Sequence, residues 1–164
     1  MSEMSGEALD QAAEGVELQE MLTALLDLEL SVRHTRWNCY GAGFRDLRLH
    51  LRSLVEVVRL NSDALAERAL TTGVSPDVRV ATIVAGSALP VLQRGPTLVD
   101  VATAEVADVV GQVVSICRRH LVSLNDPVTG ALVVSTVAAL EHHRWQLLAE
   151  FSSQPPARPV FDAV

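Results

Sequence analysis

No lysine occurs anywhere in this chain of 164 residues: all 13 basic side chains are arginine, and they stand against 20 acidic ones for a formal net charge of −7. An acidic protein repels phosphate unless its arginines gather on one surface, so bulk charge does not favour nucleic acid as a partner. Aromatic residues make up only 4% of the chain while apolar residues make up 49%. The core must therefore be built from leucine, valine and alanine rather than large rings, which suits close-packed helices. Cysteine is confined to Cys39 and Cys117, with neither CxxC nor zinc-type spacing, and the two read as buried or neutral cytosolic thiols. Long hydrophobic runs are missing too. The longest, 131–140, is interrupted by Ser135 and Thr136 and has half the ~20 residues that a membrane-spanning helix needs. The chain opens with Glu3, Glu7, Asp10, Glu14, Glu17 and Glu20 and no basic residue among them. A secretory signal has the opposite character, a positive start followed by an apolar stretch, so a cytoplasmic location is expected.

What is present is helical periodicity. The length suits one domain that buries roughly 70% of the surface of its unfolded chain. Leu18, Met21, Leu22, Leu25, Leu28 and Val32 recur at steps of three and four, which predicts a helix over 15–39 after an acidic lead-in at 1–14. Gly41 and Gly43 then mark a turn. Phe44, Leu47, Leu51, Leu54, Val58 and Leu65 form a second stripe that ends before Gly73. Residues 73–97 hold three glycines and three prolines, too many for a long element, and read as a crossover with one short helix near 77–85. Thr97 and Asp100 resemble a capping box before a third helix at 98–124. Its valine-rich stretch would suit a strand by propensity, but its length and the spacing of Val106, Val109, Val113, Ile116 and Leu124 favour a helix. Asp126-Pro127 supplies an N-cap carboxylate and a proline at the first helical position of a fourth helix, 127–152, before a tail at 153–164. Four long helices with a crossover between the second and third give an all-α, ferritin-like four-helix bundle.

On the second helix Arg48, Arg52, Glu56, Arg59, Asp63 and Glu67 form one charged ridge opposite the apolar stripe. Such a ridge reads as a salt-bridge ladder, with Arg52 to Glu56 and Arg59 to Asp63 as favourable pairs. Asp63 and Glu67, however, are like charges one turn apart, and a metal or an arginine between them would relieve the repulsion.

Several motifs then coincide. Arg36-Trp37-Asn38, Gly41 and Phe44 precede Asp63-Ala64-Leu65-Ala66-Glu67-Arg68. They are followed by Gly73-Val74-Ser75-Pro76-Asp77, Ala85-Gly86-Ser87-Ala88-Leu89-Pro90, Asp126-Pro127-Val128-Thr129 and Leu140-Glu141-His142-His143-Arg144-Trp145. In order and spacing these resemble the Dps family, the DNA-binding proteins from starved cells, over roughly 16–151. The resemblance implies a homo-oligomeric shell of twelve subunits, serving stress protection and iron storage. It also implies a di-iron ferroxidase site at each twofold interface, where iron(II) is oxidised by peroxide. Two histidines of one chain and an Asp and Glu of its neighbour hold the metal in that family. The carboxylates map onto Asp63 and Glu67, with Trp37 as a supporting neighbour. The histidines map onto Arg36 and Arg48.

That departure is chemically severe. A guanidinium has five donors, no free lone pair and a pKa above ~12, so it cannot ligate iron. His34 and His50 lie two residues from the substituted positions, on the opposite helix face, and cannot simply take over. The expectation is that Arg36 and Arg48 pair with Asp63 and Glu67 of a neighbouring subunit and that standard iron oxidation is weakened or lost. An active ferroxidase and storage cage is the enzymatic alternative; a structural shell partner of an active paralogue is the other. Asp126 is a candidate for the family's acidic iron pore as well as an N-cap, although Ala131 stands where a further pore aspartate is usual. His142 and His143 diverge on their helix and read as surface or interface packing, while Arg118-Arg119-His120 reads as a helix-end cluster. DNA binding through the tails is not expected, since the lead-in is acidic and the tail offers only Arg158.

Overall fold

The computed structural model describes residues 3–151, with side chains from residue 13 onward; the expected tail at 153–164, with Arg158, lies outside them. Five helices form: α1 (Glu3–Asn38), α2 (Phe44–Thr71), α3 (Val80–Gly86), α4 (Val99–Leu121) and α5 (Pro127–Phe151). Two short strands, β1 (Cys39–Tyr40) and β2 (Thr97–Leu98), pair in parallel, Cys39 opposite Thr97 and Tyr40 opposite Leu98. Each predicted helix is present. The first begins earlier than its apolar periodicity indicates, because an acidic stretch with no apolar stripe gives no periodic signal, yet acidic residues favour the first turns of a helix.

α1 packs against α2 and α4 against α5, and the two hairpins close on each other through α1 with α4 and α2 with α5. The chain runs up, down, down and up, so the parallel pair α2 and α4 must be joined by the long crossover that contains α3. Three side chains of α1 hold that crossover along the bundle. Gln19 exchanges two hydrogen bonds of 2.8 Å with the backbone of Asp77, Ser87 Oγ donates to Asp27 Oδ2, and His34 Nε2 lies 3.0 Å from the Gln93 carbonyl. Spacings of eight and seven residues put all three on one face of α1.

The core is aliphatic, as the composition requires. Leu18, Met21, Leu25, Leu28, Leu47, Leu51, Leu54, Leu65, Leu140 and Leu147 are its largest fully buried side chains, while Trp37, Tyr40 and Trp145 are exposed. Val106, Val109, Val110, Val113 and Val114 are all buried on α4, so tertiary burial overrides the strand preference of that stretch. Cys39 and Cys117 are free and buried, and burial pushes the Cys117 thiol up to about 11. Among the described residues no helix is long and apolar enough to cross a membrane.

The expected capping box at Thr97 is not formed. α4 is preceded by Leu98 without a side-chain cap, Thr97 Oγ1 donates to the Gly95 carbonyl, and Asp100 Oδ1 accepts from the Val101 amide. The pairing of Thr97 with Cys39 in the short sheet holds it extended, one residue too early to cap. Asp126 does cap α5: its Oδ2 accepts the Thr129 amide at 2.5 Å and the Arg68 guanidinium at 2.7 Å, while Thr129 Oγ1 donates to Glu14. The Thr129 amide above all, together with Arg68, holds this carboxyl below the usual carboxylate range. Arg118, Arg119 and His120 pair with Glu141, Glu20 and Glu20 respectively, so this basic cluster ties α4 to α5 and α1.

At the opposite end α2 and α5 meet through imidazoles. His143 is buried, its Nδ1 lies 3.5 Å from His50 Nε2, and the His50 ring packs edge-on against Phe151. Burial lowers the pKa of both rings; His142 reinforces the effect at each, and Glu150 opposes it at His50.

Two outcomes follow from this packing. Leu51→Ala removes a fully buried side chain of α2 and should cost about 2–5 kcal/mol, read as a lower urea midpoint with an unchanged slope. Because both imidazoles hold fewer protons folded than unfolded, stability should be complete above their ordinary value near 6.5 and fall as the pH drops through the depressed folded values. Melting curves between pH 7.5 and 5 should show a smaller acid loss for the double variant His50→Gln/His143→Gln than for the wild type; equal losses would exclude this pair as the source.

Candidate functional site

The turn at 39–43 folds α2 back along α1 around a centre near residue 42, so residues equally far before and after it come side by side. Arg36 and Arg48, six residues to either side, line one surface pocket of about 500 Å³ together with Phe44, Arg45, Leu49 and Arg52. Among the described residues no acidic one borders it. A second pocket of about 320 Å³ adjoins it through Arg36 and Arg52 and contains Glu29, Arg33, Glu56 and Arg59. The family resemblance pairs Arg36 with Arg48, and helical spacing puts Arg52 and Arg59 on the same ridge as Arg48, but the addition of Arg33 and Arg45 to this group is not anticipated from the sequence. Counting outward from the glycine turn would have revealed it for Arg33, since Arg33 and Arg52, like Glu29 and Glu56, stand nearly equidistant from the turn and line one pocket.

Few of these charges are balanced locally. Arg33 pairs with Glu29 and Arg52 with Glu56, both at 3.2 Å, while Arg33 and Arg45 lie over the rings of Trp37 and Phe44. The expected Arg59 to Asp63 pair is not among the ion pairs of the described residues. The side chains of Arg36 and Arg48 have no hydrogen-bond or ion-pair partner among the described residues, and the Nε of Arg36 is buried with its proton unshared. A buried donor left in that state costs about 1–3 kcal/mol, and the described residues of a single chain supply no acceptor for it. Trp37 is exposed, beneath the Arg33 guanidinium.

Asp63 and Glu67 are exposed on α2 and likewise make no ion pair among the described residues. They lie 15 and 19 residues beyond Arg48, about 22 and 28 Å along the helix at 1.5 Å per residue. Within one chain the two carboxylates cannot reach the arginine pocket. The nearby histidines are also committed elsewhere: His34 faces the Gln93 carbonyl and His50 faces His143.

Among the described residues no group of three or more His, Cys, Asp or Glu side chains could hold a metal ion. The donor set at the pocket does not fit iron. It presents N–H groups where a metal needs lone pairs, and the chemistry it can perform is recognition of anionic oxygen through planar, two-pronged hydrogen bonds.

The ferritin-like domain matches residues 16–153. The chain is 32% identical over 142 residues to DNA protection during starvation protein 2 of Deinococcus radiodurans, covering 84% of this chain but only 58% of that protein. It is 28% identical over 138 residues to the DNA protection during starvation protein of Mycolicibacterium smegmatis, covering 83% of this chain and 75% of the relative. Among solved structures, Mycobacterium smegmatis Dps in its tetragonal form superposes with a TM-score of 0.82 at 26% identity over 85% of this chain and 86% of that one. Dps92 of Deinococcus radiodurans superposes with a TM-score of 0.82 at 27% identity over 89% and 92%. Sequence motifs, helix order and fold agree, and the chain belongs to the Dps family of ferritin-like proteins.

Proposed function

We propose that this protein is a Dps-type subunit of a closed homo-oligomeric shell, a dodecamer by family resemblance, acting in stress protection or iron handling with a disabled oxidation site. Arg36 and Arg48 stand at the family's two histidine positions and accept Asp63 and Glu67 of a second copy as salt-bridge partners. The observation that carries this reading is the unshared, buried Nε of Arg36 beside an unpaired Arg48, with two unpaired carboxylates displayed elsewhere on the same chain. A twofold axis brings such complementary surfaces together reciprocally, each copy giving two guanidiniums and receiving two carboxylates. Each pair can be bidentate, and the positive charges remain fixed at every cellular pH. Iron(II), the family's substrate, then meets no imidazole and no free carboxylate at this interface.

Co-assembly with an active paralogue is compatible with the same arrangement and would appear as mixed shells on co-purification. The direct test is exchange of both arginines. Arg36→His/Arg48→His should increase the initial rate of peroxide-dependent iron(II) oxidation at least tenfold, about 1.4 kcal/mol of barrier, and raise the anaerobic iron(II) stoichiometry from background. A wild type that already oxidises iron as fast as the double variant sinks the proposal.

A further inference from the structure

The two adjoining pockets gather Arg33, Arg36, Arg45, Arg48, Arg52 and Arg59 around only two acids, Glu29 and Glu56. Nearly half of the 13 arginines of a chain with net charge −7 thus meet on one surface, leaving four positive charges unbalanced within the chain. Asp63 and Glu67 of a second copy, on the pairing proposed above, would remove two. Two remain, Arg45 in the first pocket and Arg59 in the second, and among the described residues no acid lines the first.

We infer that this pocket is a binding site for a tetrahedral oxyanion of the inorganic phosphate class. Three observations support the assignment. The pocket is about 500 Å³, large enough to admit such an ion beside carboxylate tips. Its polar lining is entirely guanidinium, whose planar fork matches the spacing of two phosphate oxygens. Among the described residues the buried Arg36 Nε has no oxygen acceptor, so a phosphate oxygen competes with a carboxylate for this guanidinium. Phosphate carries between one and two negative charges near neutral pH, so it balances the excess that the carboxylates leave. A cation is excluded from the same place by the charges that attract the anion. The former metal position thereby becomes an anion position, and the cargo it recognises changes sign. The charge count rests on the pairing proposed for Arg36 and Arg48, but the pocket itself does not.

Calorimetric titration of the purified, assembled protein with sodium phosphate in chloride at matched ionic strength tests the inference, using the wild type, Arg36→Gln/Arg48→Gln and Asp63→Asn/Glu67→Gln, with circular dichroism to confirm that each is folded. Saturable binding is expected in the wild type, at least tenfold weaker in the arginine variant and tighter in the carboxylate variant, which loses the competing charges. Absence of binding in all three overturns the site. Binding only in the carboxylate variant overturns phosphate as a ligand of the assembled protein and supports the pairing. Binding in the wild type that the carboxylate variant leaves unchanged supports the site and overturns the pairing.

Discussion

The position of α1 is the constraint on which the other elements depend. Its apolar face, with Met21, Leu25, Leu28 and Val32 fully buried, supplies the hydrophobic contact that holds the bundle closed. Its polar faces fix what lies around it. Glu14 and Glu20 engage Thr129 at the start of α5 and Arg119 and His120 at the end of α4, while Gln19, Asp27 and His34 secure the crossover at three successive levels. Moving α1 by one helical turn, about 5.4 Å, would break all of these together. The same register delivers Arg36 to the point where α2 begins, so the arginine pocket is a consequence of how the hairpin closes.

The helices were legible because an aliphatic core leaves a regular trace in the sequence. The stripes on α1 and α2 and the Asp126-Pro127 start could each be read from local spacing, and even the valine-rich α4 was correctly read once length was weighed against propensity. Elements set by distant partners were less legible. Thr97 looked like a cap because nothing local reveals that Cys39 will pair with it. His143 read as surface or interface packing beside His142, yet it is buried against His50, 93 residues away. The site was half legible for the same reason. Family motifs indicate Arg36, Arg48, Asp63 and Glu67 one at a time and helical spacing puts Arg48, Arg52 and Arg59 on one ridge, whereas the approach of Arg33 and Arg36 to that ridge exists only after α1 and α2 are folded against each other.

On the function proposed above, guanidinium in place of imidazole would change more than metal affinity. A histidine ligand must be neutral to bind metal, so protons compete with the ion around the imidazole pKa near ~6.5, and a histidine site releases its metal on acidification. Arginine has no such transition, and an arginine–carboxylate contact persists until the carboxylate itself is protonated. Among the described residues no histidine lines the pocket, so no imidazole titrates in it. In this chain acid sensitivity falls instead on His50 and His143, buried where α2 and α5 meet. The guanidiniums of the pocket stay charged while the bundle end loosens, so mild acid should weaken the packing of α2 against α5 without removing positive charge from the α1–α2 hairpin.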